Sequence, residues 1–316
     1  MKVVVTGGTG FIGRPLVSSF VAQGADVTVL TRSGTQRLPE GAHGVVWMPG
    51  DVENKKNRSG SEPDATWYKA LDGADAVVHL AGEPIAAKRW TAAQKTLIRD
   101  SRVLSTRALV EALGHTERKP RVLISCSAIG YYGPRGDEEV TEADAPGNDF
   151  LSGVCVAWEQ EARRAEELGI RVVLLRNGLV LEKDGGALPK MLLPFRWFVG
   201  GPTGSGRQWM SWIHRKDLIG LIYYLIKHAG ARGPVNAVAP NPVTNLSFSR
   251  SIGRVMGRPS LVPVPGPFLR LALGEMAEVL LLTGQRVLPV RALESGFSYQ
   301  YPDLEPALQS ILGYST

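Results

Sequence analysis

The sequence predicts an α/β protein: a doubly wound parallel sheet with a smaller C-terminal α/β unit added to it. Three observations lead there. Short β-branched runs alternate with longer helical patterns through the first half, as in chained strand–helix–strand units. The glycine-rich stretch Thr6-Gly7-Gly8-Thr9-Gly10-Phe11-Ile12-Gly13 follows the first run and opens the first helical pattern. After residue 177 the rhythm changes to frequent Gly and Pro with successive helical segments.

Taken in order, the predicted strands are residues 3–6, 26–31, 45–48, 76–81, 122–127 and 171–176. Helices are predicted over 11–23, 90–113 and 150–168. In the first of these, Phe11, Ile12, Leu16, Val17, Phe20 and Val21 share one stripe. The charge-rich run from Glu159 to Glu167 reads as the solvent face of its helix.

In the second half, residues 217–226 carry Leu218, Leu221, Ile222 and Leu225 at helical spacing, and 235–238 reads as a strand. A segment near 207–240 is therefore expected to return to the sheet. Residues 1–180 are expected to form the nucleotide-binding unit and 181–316 the substrate unit. The stretch 268–282 is apolar beyond one narrow stripe, which predicts burial, or else contact with a second copy, a protein partner or a membrane surface.

Composition narrows the function classes. With 44% hydrophobic and 21% charged residues among 316, the chain has material for a sizeable core. Two cysteines, Cys126 and Cys155, give no disulfide framework, and no Cys/His spacing suggests a metal site. The net charge of +6 suits an anionic ligand, but there is no basic stripe interleaved with aromatics of the kind nucleic acid requires. Lys55, Lys56 and Arg58 fall in a polar stretch read as a solvated loop. No apolar run has the length of a transmembrane helix, and the first residues read as a strand rather than a secretory signal.

The glycine-rich turn can be read as Gly7, Gly10, Gly13 or as Gly8, Gly10, Gly13. In either reading glycines let the backbone approach a pyrophosphate held at a helix N-terminus, so the context predicts a Rossmann-type dinucleotide site. The second strand ends in Thr31-Arg32-Ser33, where an acid would contact unphosphorylated ribose. A cation there suits a 2′-phosphate, which favours NADP(H) over NAD(H). Asp51, after the third strand, could reach the adenine.

The same turn, with His79-Leu80-Ala81-Gly82 and Ser125-Cys126-Ser127-Ala128, resembles the extended short-chain dehydrogenase/reductase family. Gly130-Tyr131-Tyr132-Gly133, Trp158-Glu159, Arg176 to Leu181, Asp184 to Ala187, Gly200-Gly201-Pro202, Gly204-Ser205-Gly206, Trp212-Ile213-His214, Asp217-Leu218 and Ala239 to Pro242 are similar to its atypical, epimerase-like branch. The resemblance implies a cofactor site formed by Thr6, Gly7, Gly8, Thr9, Gly10, Phe11, Ile12, Gly13, Arg32, Ser33, Leu80, Ala81, Gly82, Ser125 and Arg176. It also implies that Ser127 matches the family's catalytic serine.

The family's Tyr-x-x-x-Lys pair is missing. Counting back from Glu159 puts Leu151 and Cys155 at its positions, and a shift of one gives Phe150 and Val154. Tyr131 or Tyr132 could substitute as the acid, and Tyr131 with Ser127 is taken as the candidate catalytic pair. His214 could make a structural hydrogen bond or face substrate, with Asp217 where a capping or first-turn acid is expected; Trp209 and Trp212 could line a pocket or belong to the core, and the loop 200–206 with Arg207 could contact an anionic substrate or act as a lid.

Two functions follow from the resemblance. One is an NADP(H)-dependent reductase or epimerase on a small carbonyl or sugar-like substrate. The other is a non-catalytic NADPH-binding regulatory or scaffold protein, as in organelle division or complex assembly. The expected location is cytoplasmic, or the plastid stroma after removal of a transit peptide.

Overall fold

The computed structural model describes residues 1–49 and 66–313. Asp51, Lys55, Lys56 and Arg58 lie outside the described residues. The strands of the first half are β1 (Lys2–Thr6), β2 (Asp26–Thr31), β3 (Ala42–Val46), β4 (Ala76–His79), β5 (Val122–Ala128), β6 (Glu139–Val140) and β7 (Arg171–Asn177). Those of the second half are β8 (Leu179–Leu181), β9 (Trp209–Met210), β10 (Trp212–His214), β11 (Gly233–Ala237), β12 (Val243–Thr244) and β13 (Arg286–Val287). Seven of them form one sheet in the order β11-β7-β5-β4-β1-β2-β3, with every pairing parallel. The order reverses between β1 and β4, which opens the crevice where α/β sheets take ligands.

Apolar side chains cover both faces, as a parallel sheet requires. Val5, Val29, Val78, Ile124 and Val173 pack with α1 (Gly13–Ala22) on one face. Val4, Val77, Leu123 and Val172 pack on the other, against α2 (Thr66–Leu71) and α3 (Ala92–Gly114). Thr91 caps α3 by accepting from the Gln94 N–H at 3.1 Å, and this delays the helix past Trp90. Asp149 likewise caps α4 (Phe150–Arg163).

The predicted strand 45–48 is displaced to β3; Trp47 just beyond it still donates its N–H to Thr31 O at 2.8 Å, and its ring is tilted against Trp67 with centroids 5.8 Å apart. The fourth strand stops at His79, because the Thr6 hydroxyl accepts from the Leu80 and Ala81 N–H groups at 3.2 Å each and pulls that chain out of register.

In the second half, α5 (Leu188–Arg196) precedes α6 (Arg215–Lys227), whose Leu218, Leu221, Ile222 and Leu225 join the sheet's core. β11 then extends the sheet beside β7. A separate core of Leu188, Leu192, Phe195, Trp212, Phe248, Ile252 and Leu308 joins α5 to α7 (Asn245–Met256) and the C-terminal helix Leu304–Leu312.

The stretch 268–282 corrects the expectation of a buried helix. Gly274 at φ 64° breaks it into α8 (Gly266–Leu273), a short turn 275–277 and a π-helical turn 278–282. Met276 and Ala277 are buried, but Phe268 is 62% and Leu271 80% exposed. No helix among the described residues is long and apolar enough to cross a membrane.

Candidate functional site

The turn after β1 separates two demands on glycine. Gly7 adopts φ 67°, and a Cβ there would lie 2.8 Å from the Leu80 carbonyl carbon, so β1 and β4 could not approach. A Cβ at Gly13 would fall on the carbonyl oxygen of Gly7, and one at Gly8 would meet Val29 at 2.8 Å. Gly10 is different: its Cβ would touch only the Gly7 oxygen, at 3.3 Å. Three of the glycines are required by the protein's own packing, while Gly10 keeps open the exposed side of the turn.

The end of α1 is also left available. Ile12 precedes it with no side-chain cap, and its first turn holds no acid. Among the described residues, the N–H groups of Phe11 and Ile12 donate to no protein acceptor. Such an end favours an anion. Arg32, exposed at the end of β2, makes no hydrogen bond or ion pair among the described residues. Arg14 reaches across to donate to the Arg37 carbonyl oxygen at 2.6 Å, which ties the first turn of α1 to the segment after β2. Arg14 and Arg37 escaped the sequence reading, although Arg14 directly follows the last glycine of the turn. The Ser33 hydroxyl pairs with Thr35 at 2.8 Å.

Several expected contacts prove to be internal supports. Thr6 is fully buried, and its hydroxyl accepts from two amides, so its proton goes to His79 Nδ1 at 2.7 Å. His79 Nε2 then donates to Thr106 Oγ1 at 2.9 Å. Burial pushes the His79 pKa down to about 3, so the ring stays neutral. The Phe11 ring packs against Gly185 and Gly186 under the Arg215 guanidinium, which itself pairs with Glu182 and Asp184. Phe11 thus clamps the 182–186 loop to the phosphate turn.

Ser127 and Arg176 also lie inside the fold. Both are 2% exposed and belong to a buried network. Arg176 grips both oxygens of Glu159 at 2.8 Å each, Ser127 Oγ donates to Glu159 Oε1 at 2.7 Å, and the remaining arm of Arg176 donates to Tyr132 Oη at 2.9 Å. Tyr132 Oη donates in turn to Asn236 Oδ1 at 2.7 Å. Burial lowers the Arg176 pKa, but the Glu159 bonds and charge outweigh it and the net shift is upward.

Glu159 is therefore not on the solvent face expected of its charge-rich run. It lies one turn beyond Cys155 on the stripe of Leu151, Cys155, Trp158 and Ala162, which is the signal that could have placed it.

The Tyr and Lys positions hold Leu151 and Cys155, both buried. Burial first, and the Glu159 charge second, push the Cys155 thiol up to about 12. The two tyrosines separate cleanly. Tyr132 is fully buried and hydrogen-bonded, its phenol pushed up to about 12 chiefly by burial. Tyr131 is half-buried, its ring centroid 3.4 Å from the Arg176 guanidinium carbon, and its hydroxyl has no partner among the described residues. It follows Gly130, whose Cβ would lie 3.4 Å from Leu151 Cβ, so the Tyr131 turn packs beside the vacated Tyr position.

At the sheet's carboxyl edge, Ser125 Oγ and Asn177 Oδ1 are buried without a partner among the described residues. Buried polar atoms normally find one, and a ligand at this edge would supply it. The open turn, the uncapped helix end and these orphaned atoms fit a dinucleotide.

His214 and the tryptophans are tied into the fold, although His214 Nε2 is buried without a partner among the described residues. His214 accepts from the Lys216 N–H at 2.9 Å and stacks on Tyr301 at 4.1 Å. Burial, with the Lys216 and Arg215 charges, brings its pKa down to about 4. Trp212 is fully buried, and Trp209 donates to Asp137 Oδ1 at 2.8 Å. The 200–206 loop is pinned, with Gly204 donating to Val264 O at 2.9 Å and Val264 to Pro202 O at 2.8 Å. That tethering does not suit a freely moving lid.

Comparison with known proteins agrees with this geometry. Residues 3–238 match the NAD dependent epimerase/dehydratase family, and residues 264–311 match a domain of unknown function, DUF1731. The chain is 42% identical over 314 residues to the chloroplastic homolog of epimerase family protein SDR39U1 from Arabidopsis thaliana, covering 99% of this chain and 87% of that one. It is 39% identical over 313 residues to epimerase family protein YfhF of Bacillus subtilis, covering 99% and 98%.

Human SDR39U1, crystallised with NADPH, superposes with a TM-score of 0.84 at 32% identity over the whole of both chains. UDP-glucose 4-epimerase of Thermotoga maritima shares the fold at a TM-score of 0.79 and 17% identity, covering 99% and 98%. The match over residues 3–238 and the full-length similarity to these relatives place the chain in the NAD dependent epimerase/dehydratase family, among the SDR39U1-type epimerase family proteins.

Proposed function

We propose that this chain binds NADP(H) across the carboxyl ends of β1, β2, β4 and β5 and acts on a small carbonyl or sugar-like substrate as an atypical reductase or epimerase, with Tyr131 transferring the proton. One observation carries the cofactor reading: the N-terminus of α1 is uncapped and acid-free, and Arg32 stands exposed and unpaired among the described residues at the end of β2, the strand beside β1. The pyrophosphate belongs at the Gly7 to Gly13 turn and the 2′-phosphate beside Arg32. The NADPH in the human SDR39U1 crystal structure supports the phosphorylated form.

Bound there, the nicotinamide supplies or accepts a hydride. The chain's own task is then the proton. Ser127 Oγ is committed to Glu159, Leu151 and Cys155 carry no suitable acid, and Ser125 Oγ is buried, so we assign the proton to the half-buried, unpartnered phenol of Tyr131. The ring lies over a fixed cation, Arg176, which holds its position.

The same commitment of Ser127 favours a second reading, in which the protein holds NADPH as a regulatory ligand without turnover. Calorimetric titration with NADPH and NADH tests the first step, and equal affinities would remove the NADP(H) assignment. Deuteride transfer from labelled NADPH to a panel of aldehydes and keto-sugars tests the second. Transfer that disappears in Tyr131→Phe supports the catalytic reading. NADPH binding with no transfer to any member supports the regulatory one.

A further inference from the structure

The end of α5 is conformationally strained in a way that burial does not offset. Its last turn closes as a Schellman motif, with Val199 N–H donating to Pro194 O at 3.0 Å and Phe198 N–H to Phe195 O at 3.0 Å. The left-handed position of this motif usually holds glycine. Here it holds Phe198 at φ 61°, the one non-glycine residue with positive φ among the described residues. A bulky side chain is disfavoured there. Yet Phe198 is 57% exposed, between Trp197 at 73% and Val199 at 51%.

A second segment is held alongside. Leu261 and Val262 both donate their N–H groups to Gly200 O, and their side chains are 80% and 48% exposed. Leu193, one turn before Trp197, is 52% exposed. Isolated surface hydrophobics are ordinary, but a cluster of six around one strained turn is not.

Cations border this cluster. Arg250 and Arg254 sit one turn apart on α7, Arg258 follows its end, and the three line a shallow, open surface depression of about 410 Å³ that Leu261 also borders. Arg254 is paired with Glu305, whereas Arg250 has no acidic partner among the described residues. The Arg258 guanidinium lies 4.2 Å from the centroid of the Phe198 ring, joining the basic depression to the apolar side chains.

We infer that this face docks on an anionic phospholipid surface, the arginine-lined depression taking a phosphate headgroup while Trp197, Phe198 and Leu261 enter the interfacial layer. Charge complementarity selects the occupant, because a cationic depression beside exposed apolar side chains matches an anionic head joined to hydrocarbon. A second copy presenting the same face would set arginines against arginines. A lipid layer accommodates exposed apolar side chains without the matched shape a folded partner must have. This inference is independent of the cofactor site.

The test is co-flotation of the intact chain with vesicles of equal parts phosphatidylglycerol and phosphatidylcholine, against phosphatidylcholine alone. Binding to the anionic vesicles only, weakened by added salt, is expected. Arg250→Ala and Arg258→Ala should each lower partition about five-fold. Phe198→Gly separates docking from folding, because it relieves the left-handed strain and should raise Tm while lowering vesicle partition. Three outcomes would overturn the inference: no flotation with anionic vesicles at low salt, unchanged partition in both Phe198→Gly and Trp197→Ala, or equal binding to neutral vesicles. Concentration-dependent self-association that Phe198→Gly abolishes, without vesicle binding, would reassign the face to a second copy.

Discussion

Ser127 Oγ donates to Glu159 Oε1 at 2.7 Å, on a carboxylate that Arg176 already holds with two bonds. The residue at the family's catalytic serine position is thereby part of a buried ion-pair network linking α4, β5 and β7. Ser127→Ala should cost about 1.5 kcal/mol, the scale of a hydrogen bond to a charged group, and leave NADPH affinity unchanged. Glu159→Gln should cost about 3–5 kcal/mol, because it strands the Arg176 cation inside the protein. Denaturant unfolding beside NADPH titration checks both, and a Ser127→Ala variant that folds normally but loses NADPH binding would return Ser127 to the cofactor.

If the 2′-phosphate sits beside Arg32 as proposed, Arg32→Ala should weaken NADPH binding about 10–100-fold and leave NADH binding nearly unchanged. Equal losses for both cofactors would move Arg32 away from the 2′-phosphate.

The glycines of the phosphate turn should divide by mechanism. Gly10→Ala meets only the Gly7 oxygen at 3.3 Å, so Tm should hold while affinity for both cofactors falls as the methyl group enters the pyrophosphate's space. Gly13→Ala collides with the turn's own backbone and should lower Tm as well. A Gly10→Ala protein binding NADPH normally would place the pyrophosphate elsewhere.

Acid sensitivity should come partly from His79. Its folded pKa of about 3 lies below its unfolded value of about 6.5, so the unfolded state takes up the proton first. The stabilisation from this neutral ring is complete above about pH 6.5 and is lost as pH falls toward about 3, with roughly 2 kcal/mol gone at pH 5. His214, lowered to about 4, acts in the same direction. Unfolding free energies measured from pH 7 to 5 should show this slope reduced in a folded His79→Gln variant; an unchanged slope would assign acid sensitivity to other groups.

Alternating strand and helix patterns and the glycine turn made the parallel sheet and its turn after β1 legible in the sequence, because periodicity and backbone geometry are local properties. The missing Tyr-Lys pair was equally legible, since counting back from Glu159 reaches Leu151 and Cys155 in either sequence or structure.

What the tertiary structure alone decided is where polar groups are spent. Ser127, Arg176 and Tyr132 look like site residues along the chain, but β5, β7 and α4 converge on Glu159 and bury them, and a buried charge must be paired. Thr6 and His79, 73 residues apart, likewise meet only because β1 and β4 are neighbours. Phe198 gives no sign in the sequence of its left-handed backbone, which arises where the last turn of α5 closes. Local sequence determined the elements and the phosphate turn; long-range packing determined which hydroxyls, cations and aromatic rings remain free to meet another molecule.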